Sequence, residues 1–340
     1  MPDKIVILKA MGLAAAIAAF VVLLTGLPWR LPRWRLATAG GVAGAALGFG
    51  VGCWWLDIKA DWPRTLLRPF RALCCWWLGT SADWPPKEAM DWLLLVILPA
   101  IVGVELFGAA IGKVRWPVWL LRALLAAIAG RIVLDNSVYI ADLSGPGSRQ
   151  WDQTLTLKIL AGLAAALTFV WAALLLLLRR PGGRAVPFAV AGTCAAAGAT
   201  VMFSGYATGA GQLGLPLGAA IAGAFIASLL LAGQRTTGGV VSFGVVVLFS
   251  YLVVGYYFAD LTLRNAALLF FAPLACWLPE LPVIRRLPVY MRANLGIALT
   301  VVPVVIALYL AHEKFVADSA AKSSTGTEDI SPEDYMNFGK

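Results

Sequence analysis

The sequence predicts an all-α, polytopic membrane protein of about ten transmembrane helices, with one further amphipathic helix lying in the membrane interface. Three observations carry that reading. Hydrophobic residues make up 60% of the chain and charged residues 13%, where soluble domains hold roughly a quarter charged. Mean hydropathy is +0.81. Apolar runs of about 18–24 residues, the length that spans a bilayer as a helix, recur along the chain. They are continuous rather than alternating, which selects helices over a barrel.

The first run, residues 5–27, is too long for a signal peptide, and Pro28-Trp29-Arg30 follows it instead of a small-residue cleavage site. The second, 37–56, carries Gly40, Gly44, Gly48 and Gly52. That spacing of four lines them along one helix face, a groove for close helix packing. The partner is either another helix of the same bundle or a second copy of the chain; a re-entrant segment is the remaining reading.

Next comes a duplicated phrase. Cys53-Trp54-Trp55-Leu56 with Ala60-Asp61-Trp62-Pro63 returns 22 residues later as Cys75-Trp76-Trp77-Leu78 with Ala82-Asp83-Trp84-Pro85. Tryptophans closing an apolar run, followed by proline, suit a chain leaving a bilayer. Within this 58–88 segment, Arg64, Arg68 and Arg71 fall on one helical face, opposite Leu66, Phe70, Leu73 and Trp77. The arrangement predicts an interfacial helix whose arginines contact lipid headgroups, kinked or begun at Pro69.

The remaining runs are 89–112, 117–134, 154–178, 185–203, 215–232, 240–258, 263–277 and 295–311. The bundle thus occupies 1–312, and the polar tail 313–340 is expected to be disordered. Under ten crossings, the links after odd-numbered runs share one side. They carry Arg30, Arg33, Arg35, Lys113, Arg115, Arg179, Arg180, Arg184, Arg235, Arg285, Arg286 and Arg292. The positive-inside rule then puts both termini outside the cytoplasm. The basic 64–78 segment pulls the other way, toward an anionic cytoplasmic leaflet. The conflict vanishes if 37–56 does not cross.

The net charge of +9 does not imply nucleic acid, because the basic residues sit in short links where they set orientation. The cysteines Cys53, Cys74, Cys75, Cys194 and Cys276 contain no CxxC pair and read mostly as small buried hydrophobes. With His312 the sole histidine, neither haem nor a histidine metal site is expected, and no cofactor is implied. No HExxH, GxSxG, Walker A or dinucleotide fingerprint occurs, so the chain is read as a non-enzyme.

Glu105 and Arg122 form the sharpest candidate pair. Both lie about 11–14 Å from the turn that joins their runs, at 1.5 Å per residue. A lone charge at such depth costs at least ~2.5–3.5 kcal/mol, which favours pairing. The pair is either a structural ion pair or the titrating centre of an ion-coupled carrier. Arg131 and Asp135, four apart, form a local pair. Lys158 can snorkel, Asp260 and Arg264 sit in a link, and Tyr251, Tyr256 and Tyr257 read as an interfacial belt.

Trp84-Pro85-Pro86 with Glu88-Ala89 and Trp92 resembles a recurring segment of bacterial multi-pass inner-membrane proteins that lack an assigned activity. Ser204-Gly205 with Gln212-Leu213 resembles a later segment of the same kind, as does Tyr257-Phe258-Ala259 with Ala272-Pro273-Leu274 and Trp277. Lys87 departs from the apolar residue expected there. The resemblance implies a bacterial inner-membrane location and no chemistry. Two functional readings follow: a membrane scaffold or complex subunit, partnered by lipid and by a second copy or another membrane protein, and a secondary transporter built on Glu105 and Arg122.

Overall fold

The computed structural model describes residues 4–26, 33–55, 89–111, 116–135, 137–141, 149–204, 212–230, 237–284 and 286–324. These are mostly helical, with no strand among the described residues. In chain order α1 is Lys4–Gly26 and α2 Arg33–Trp55; α3 comprises Ala89–Trp92, a π turn Leu93–Ile97 and Leu98–Ile111. Then come α4 Trp116–Val133 and α5 Gln153–Leu177. A 3-10 turn, Pro181–Ala185, opens α6 Val186–Phe203. The last are α7 Gly214–Leu230, α8 Thr237–Phe258, α9 Leu263–Phe271 with a 3-10 continuation Ala272–Glu280, and α10 Val289–Ser324.

Six helices are long and apolar enough to cross a membrane: α1, α4, α5, α6 with its 3-10 turn, α8 and α10. Shorter apolar helices occupy Ala39–Cys53, Leu98–Ile111 and Gly214–Leu230. The ninth run departs furthest from a plain span. Pro273 and Pro279 withhold backbone donors, and the chain tightens to 3-10 geometry across them. A similar local cause explains the π turn of α3. Pro99 has no N–H to give residue 95, and Leu98 donates five residues back to the carbonyl of Leu93.

The bundle is organised around α8. It is buried from Thr237 to Gly255 but for Gly238, and it packs against α2 to α7 and α9. An all-round apolar helix suits a bundle centre or a lipid-facing span alike; it is burial by its neighbours that puts α8 at the centre. Small residues let its neighbours close in. A Cβ on Gly244 would meet Ile221 of α7 and Val190 of α6, each at 2.7 Å.

Contacts along the seams set the direction of each helix. Gly40 and Gly52 of α2 lie against Thr25 and Ala14 of α1, an antiparallel hairpin. Gly108 of α3 meets Val118 of α4, and Gly130 of α4 meets Leu163 of α5. Gly214 and Gly218 of α7 meet Gly198 and Ala191 of α6, again antiparallel, while Gly255 and Gly244 pair α8 with Val201 and Val190 of α6 in parallel. The ends Ile111, Leu177, Leu230 and Glu280 therefore gather at one end of the bundle. The links that carry most of the arginines leave from there.

Two expectations are corrected. The tail expected to be disordered from Glu313 is helical to Ser324. Its Ala, Glu and Lys residues favour helix. Phe315 rests on Phe203 at 5.8 Å, and Lys314 Nζ donates to the carbonyl of Asp260 at 2.8 Å. Tyr251, expected in an interfacial belt, is only 2% exposed and sits in the core, because it lies on the central helix α8. The interfacial segment 58–88, with Arg64, Arg68, Arg71 and most of the tryptophan repeat, lies outside the described residues.

Candidate functional site: two carboxylates held by arginine

Glu105 is the one acidic residue between Asp91 and Asp135. It lies on α3 six residues before the helix ends, and Arg122 lies six residues into α4. The antiparallel packing of α3 against α4 brings them level, about 9 Å inside the helix ends. Arg122 grips the carboxylate with two bonds, Nε to Oε1 at 2.9 Å and Nη2 to Oε2 at 2.8 Å. Side-chain exposure is 3% for Glu105 and 14% for Arg122. The fork geometry of guanidinium matches a carboxylate, and such bidentate pairs are among the stronger hydrogen-bonded contacts.

The pair continues into the bundle. The Arg122 guanidinium lies 5.2 Å from the ring centre of Trp119 and 5.6 Å from that of Trp171, within range of a cation–π attraction. Trp171, on α5, donates Nε1–H to Oγ of Ser242 on α8 at 2.9 Å, and both residues are buried. One chain of contacts thus ties α3, α4 and α5 to the central helix.

A second carboxylate went unnoticed in the sequence. Glu280 ends the 3-10 run after α9 and is buried, as is Arg292 on α10. Arg292 Nη1 donates to Glu280 Oε1 at 3.0 Å, and the backbone N–H of Gly182 donates to the same oxygen at 3.0 Å. Oε2 of Glu280 and Nε of Arg292 have no hydrogen-bond partner among the described residues. Close by, Trp277 Nε1 donates to the carbonyl of Ala173 at 3.2 Å, and the Arg180 guanidinium lies 5.7 Å from the Trp277 ring centre. Sequence placed Arg292 in a link and passed over Glu280. The available signal was that Glu280 is the lone acid between Asp260 and Glu313.

The other predicted residues fall as follows. Gly40, Gly44, Gly48 and Gly52 are covered within the chain. A Cβ on Gly44 would meet the carbonyl of Ala18 at 2.7 Å, one on Gly48 the carbonyl of Ala14, and one on Gly52 Pro216 of α7 at 2.7 Å. Arg131 pairs with Asp135 at 2.6 Å. Lys158 and Arg264 are exposed. Asp260 takes a left-handed backbone, φ 49°, one that Asp tolerates better than most residues.

Tyr257 joins Tyr139 and Trp151 in a triangle with ring centres 4.9–5.4 Å apart, and Tyr139 Oη donates to the Tyr257 carbonyl. The rings touch one another, so the cluster holds Tyr139 and Trp151 against α8. Cys53, Cys194 and Cys276 are buried free thiols. No group of three metal-ligating side chains gathers among the described residues.

Compared with known proteins, the chain matches no family model, no curated protein and no solved structure.

Proposed function

We propose that the protein is a non-enzymatic scaffold or complex subunit of the bacterial inner membrane. The observation that supports this most is that both buried carboxylates among the described residues, Glu105 and Glu280, are engaged by arginines. Each pair joins separate helices rather than leaving a carboxylate open to a passing ion. With Arg122 against Trp171, Trp171–Ser242 and Trp277–Ala173, these contacts tie α3, α4, α5, α8, α9 and α10 together, as a rigid platform requires.

In this reading α1 to α10 all cross, with the arginine-rich end in the cytoplasm and both termini outside. The crossing by α9 draws support from its two ends. Glu280 meets Arg292, and Asp260 meets Lys314. The chain from 260 to 280 therefore runs beside 22 residues of α10, about 33 Å. The larger rise of 3-10 geometry, about 2.0 Å per residue, helps so short a segment to reach.

The alternative is an ion-coupled carrier that uses Glu105 as its titrating group. Proteoliposomes loaded with a pH-sensitive dye separate the two. A scaffold gives the same proton flux for wild type, Glu105→Gln and empty vesicles, and in-membrane crosslinking of the full chain captures a stoichiometric protein partner. Gradient-driven proton uptake by wild type that disappears in a folded Glu105→Gln protein would replace the scaffold with the carrier.

A further inference from the structure

We propose that the arginine-rich end of the bundle holds one anionic phospholipid, its phosphate over Arg180, Arg184 and Arg286 and its acyl chains along Leu281, Val283 and Leu287. Three features converge there.

The first is a rigid junction. Glu280 Oε1 accepts from both Gly182 and Arg292, which pins the Arg180–Arg184 turn beside the link that carries Arg286. Backbone bonds tighten both pieces: Gly183 donates to Arg180, Ile284 to Leu281 and Leu287 to Ile284. The arginines are thus carried on constrained turns, which lowers the ordering cost of binding.

The second is unopposed charge. Residues 177–190 contain no acid, and 277–292 contain only Glu280. That carboxylate is buried and already taken by Arg292. Arg180, Arg184 and Arg286 are exposed and form no ion pair among the described residues. Arg180 rests on Trp277, an indole anchored by its bond to Ala173. Guanidinium groups at a membrane surface, beside an amphipathic indole, bind phosphate oxygens and suit the headgroup level.

The third feature separates a lipid from a free phosphate ion. Interleaved with the arginines are exposed apolar side chains: Val283 at 86%, Leu281 at 50% and Leu287 at 40%. A phosphate ion makes no use of such a surface. A lipid supplies both the anion and the chains that cover it.

The test is native mass spectrometry of the detergent-purified full chain, titrated with phosphatidylglycerol or phosphatidylcholine. Phosphatidylglycerol is expected to bind in preference at one site. Each arginine near an anionic headgroup is worth roughly fivefold in affinity, so Arg180→Gln/Arg184→Gln/Arg286→Gln lowers it about a hundredfold. Lys158→Gln/Arg264→Gln, at the opposite end, leaves it unchanged. Val283→Ser weakens phosphatidylglycerol binding, and inorganic phosphate fails to displace the lipid. Size-exclusion profiles and melting temperatures verify that the exposed substitutions leave the fold intact. Equal binding of the two lipids, or undiminished binding by the folded triple variant, overturns the site. Displacement by inorganic phosphate, with Val283→Ser silent, overturns the lipid and leaves an anion site.

Discussion

The backbone N–H of Gly182 donates to Oε1 of Glu280 at 3.0 Å, and a Cβ placed on Gly182 would run into that same oxygen. Glycine at 182 therefore lets the carboxylate approach the main chain closely enough to join the start of α6 to the end of the α9 segment. Arg292 completes the clamp from α10.

Gly182→Ala pushes the carboxylate off its donor. A hydrogen bond to a charged group contributes about 1.5–3 kcal/mol, and a loss of roughly 2 kcal/mol is expected. It is read as a lower melting temperature in detergent. An unchanged melting temperature would mean that the Glu280–Gly182 contact contributes nothing to stability.

Glu105 and Arg122 should behave as one unit. Removing either partner leaves the other charge buried, at a cost of about 3–5 kcal/mol, while replacing both with apolar residues is far milder. Glu105→Leu and Arg122→Leu are each expected to lose most folded protein, and the double variant to recover much of it. The coupling energy from the double-mutant cycle checks this. Simple additivity would show that the two side chains do not act together.

How much of this was legible follows from where each signal resides. Membrane class, helix positions and the Glu105–Arg122 pair come from hydropathy and from one acid stranded in an apolar run. Depth counted from the intervening turn was enough to set the two residues level. Glu280 stayed hidden because it stands beside Pro279 and Leu281 in what reads as a link, where a charge needs no partner. Its burial comes from the 3-10 run and from Gly182, a contact across 98 residues. Tyr251 was misplaced for a related reason: periodicity cannot tell a central helix from a lipid-facing one when every face is apolar. The Trp171–Ser242 bond is likewise set by packing between α5 and α8 and by no local pattern.

Acid should loosen the start of α5. Asp152 precedes that helix, and its carboxyl is held below the usual range, chiefly by the hydroxyl of Thr154, which donates to Oδ2 at 2.7 Å. A depressed carboxyl favours the folded state above its unfolded value, near 3.9, and the benefit disappears as pH falls through the lower folded value. Amide protection at the start of α5, normalised for the intrinsic pH dependence of exchange, is expected to fall below about pH 4. In Asp152→Asn the protection should already be lower at neutral pH and lack this acid step. Identical profiles for the two proteins would exclude Asp152 as the titrating group.

The glycines of α2 offer a sharper contrast, because they separate packing within the chain from packing between copies. At Gly48 an added Cβ would strike the carbonyl of Ala14, and at Gly44 that of Ala18. These are backbone atoms of α1 and cannot swing aside. Gly48→Val is therefore expected to disrupt the α1–α2 hairpin itself and reduce recovery of folded protein. Gly12, with nothing within 4 Å of an added Cβ, should accept alanine and gain up to about 1 kcal/mol of helix stability. Recovery of folded, monodisperse protein from the membrane fraction reads both. Were Gly48→Val to stay folded and change only the oligomeric state, the glycine face would belong to an interface between copies rather than to the α1 seam.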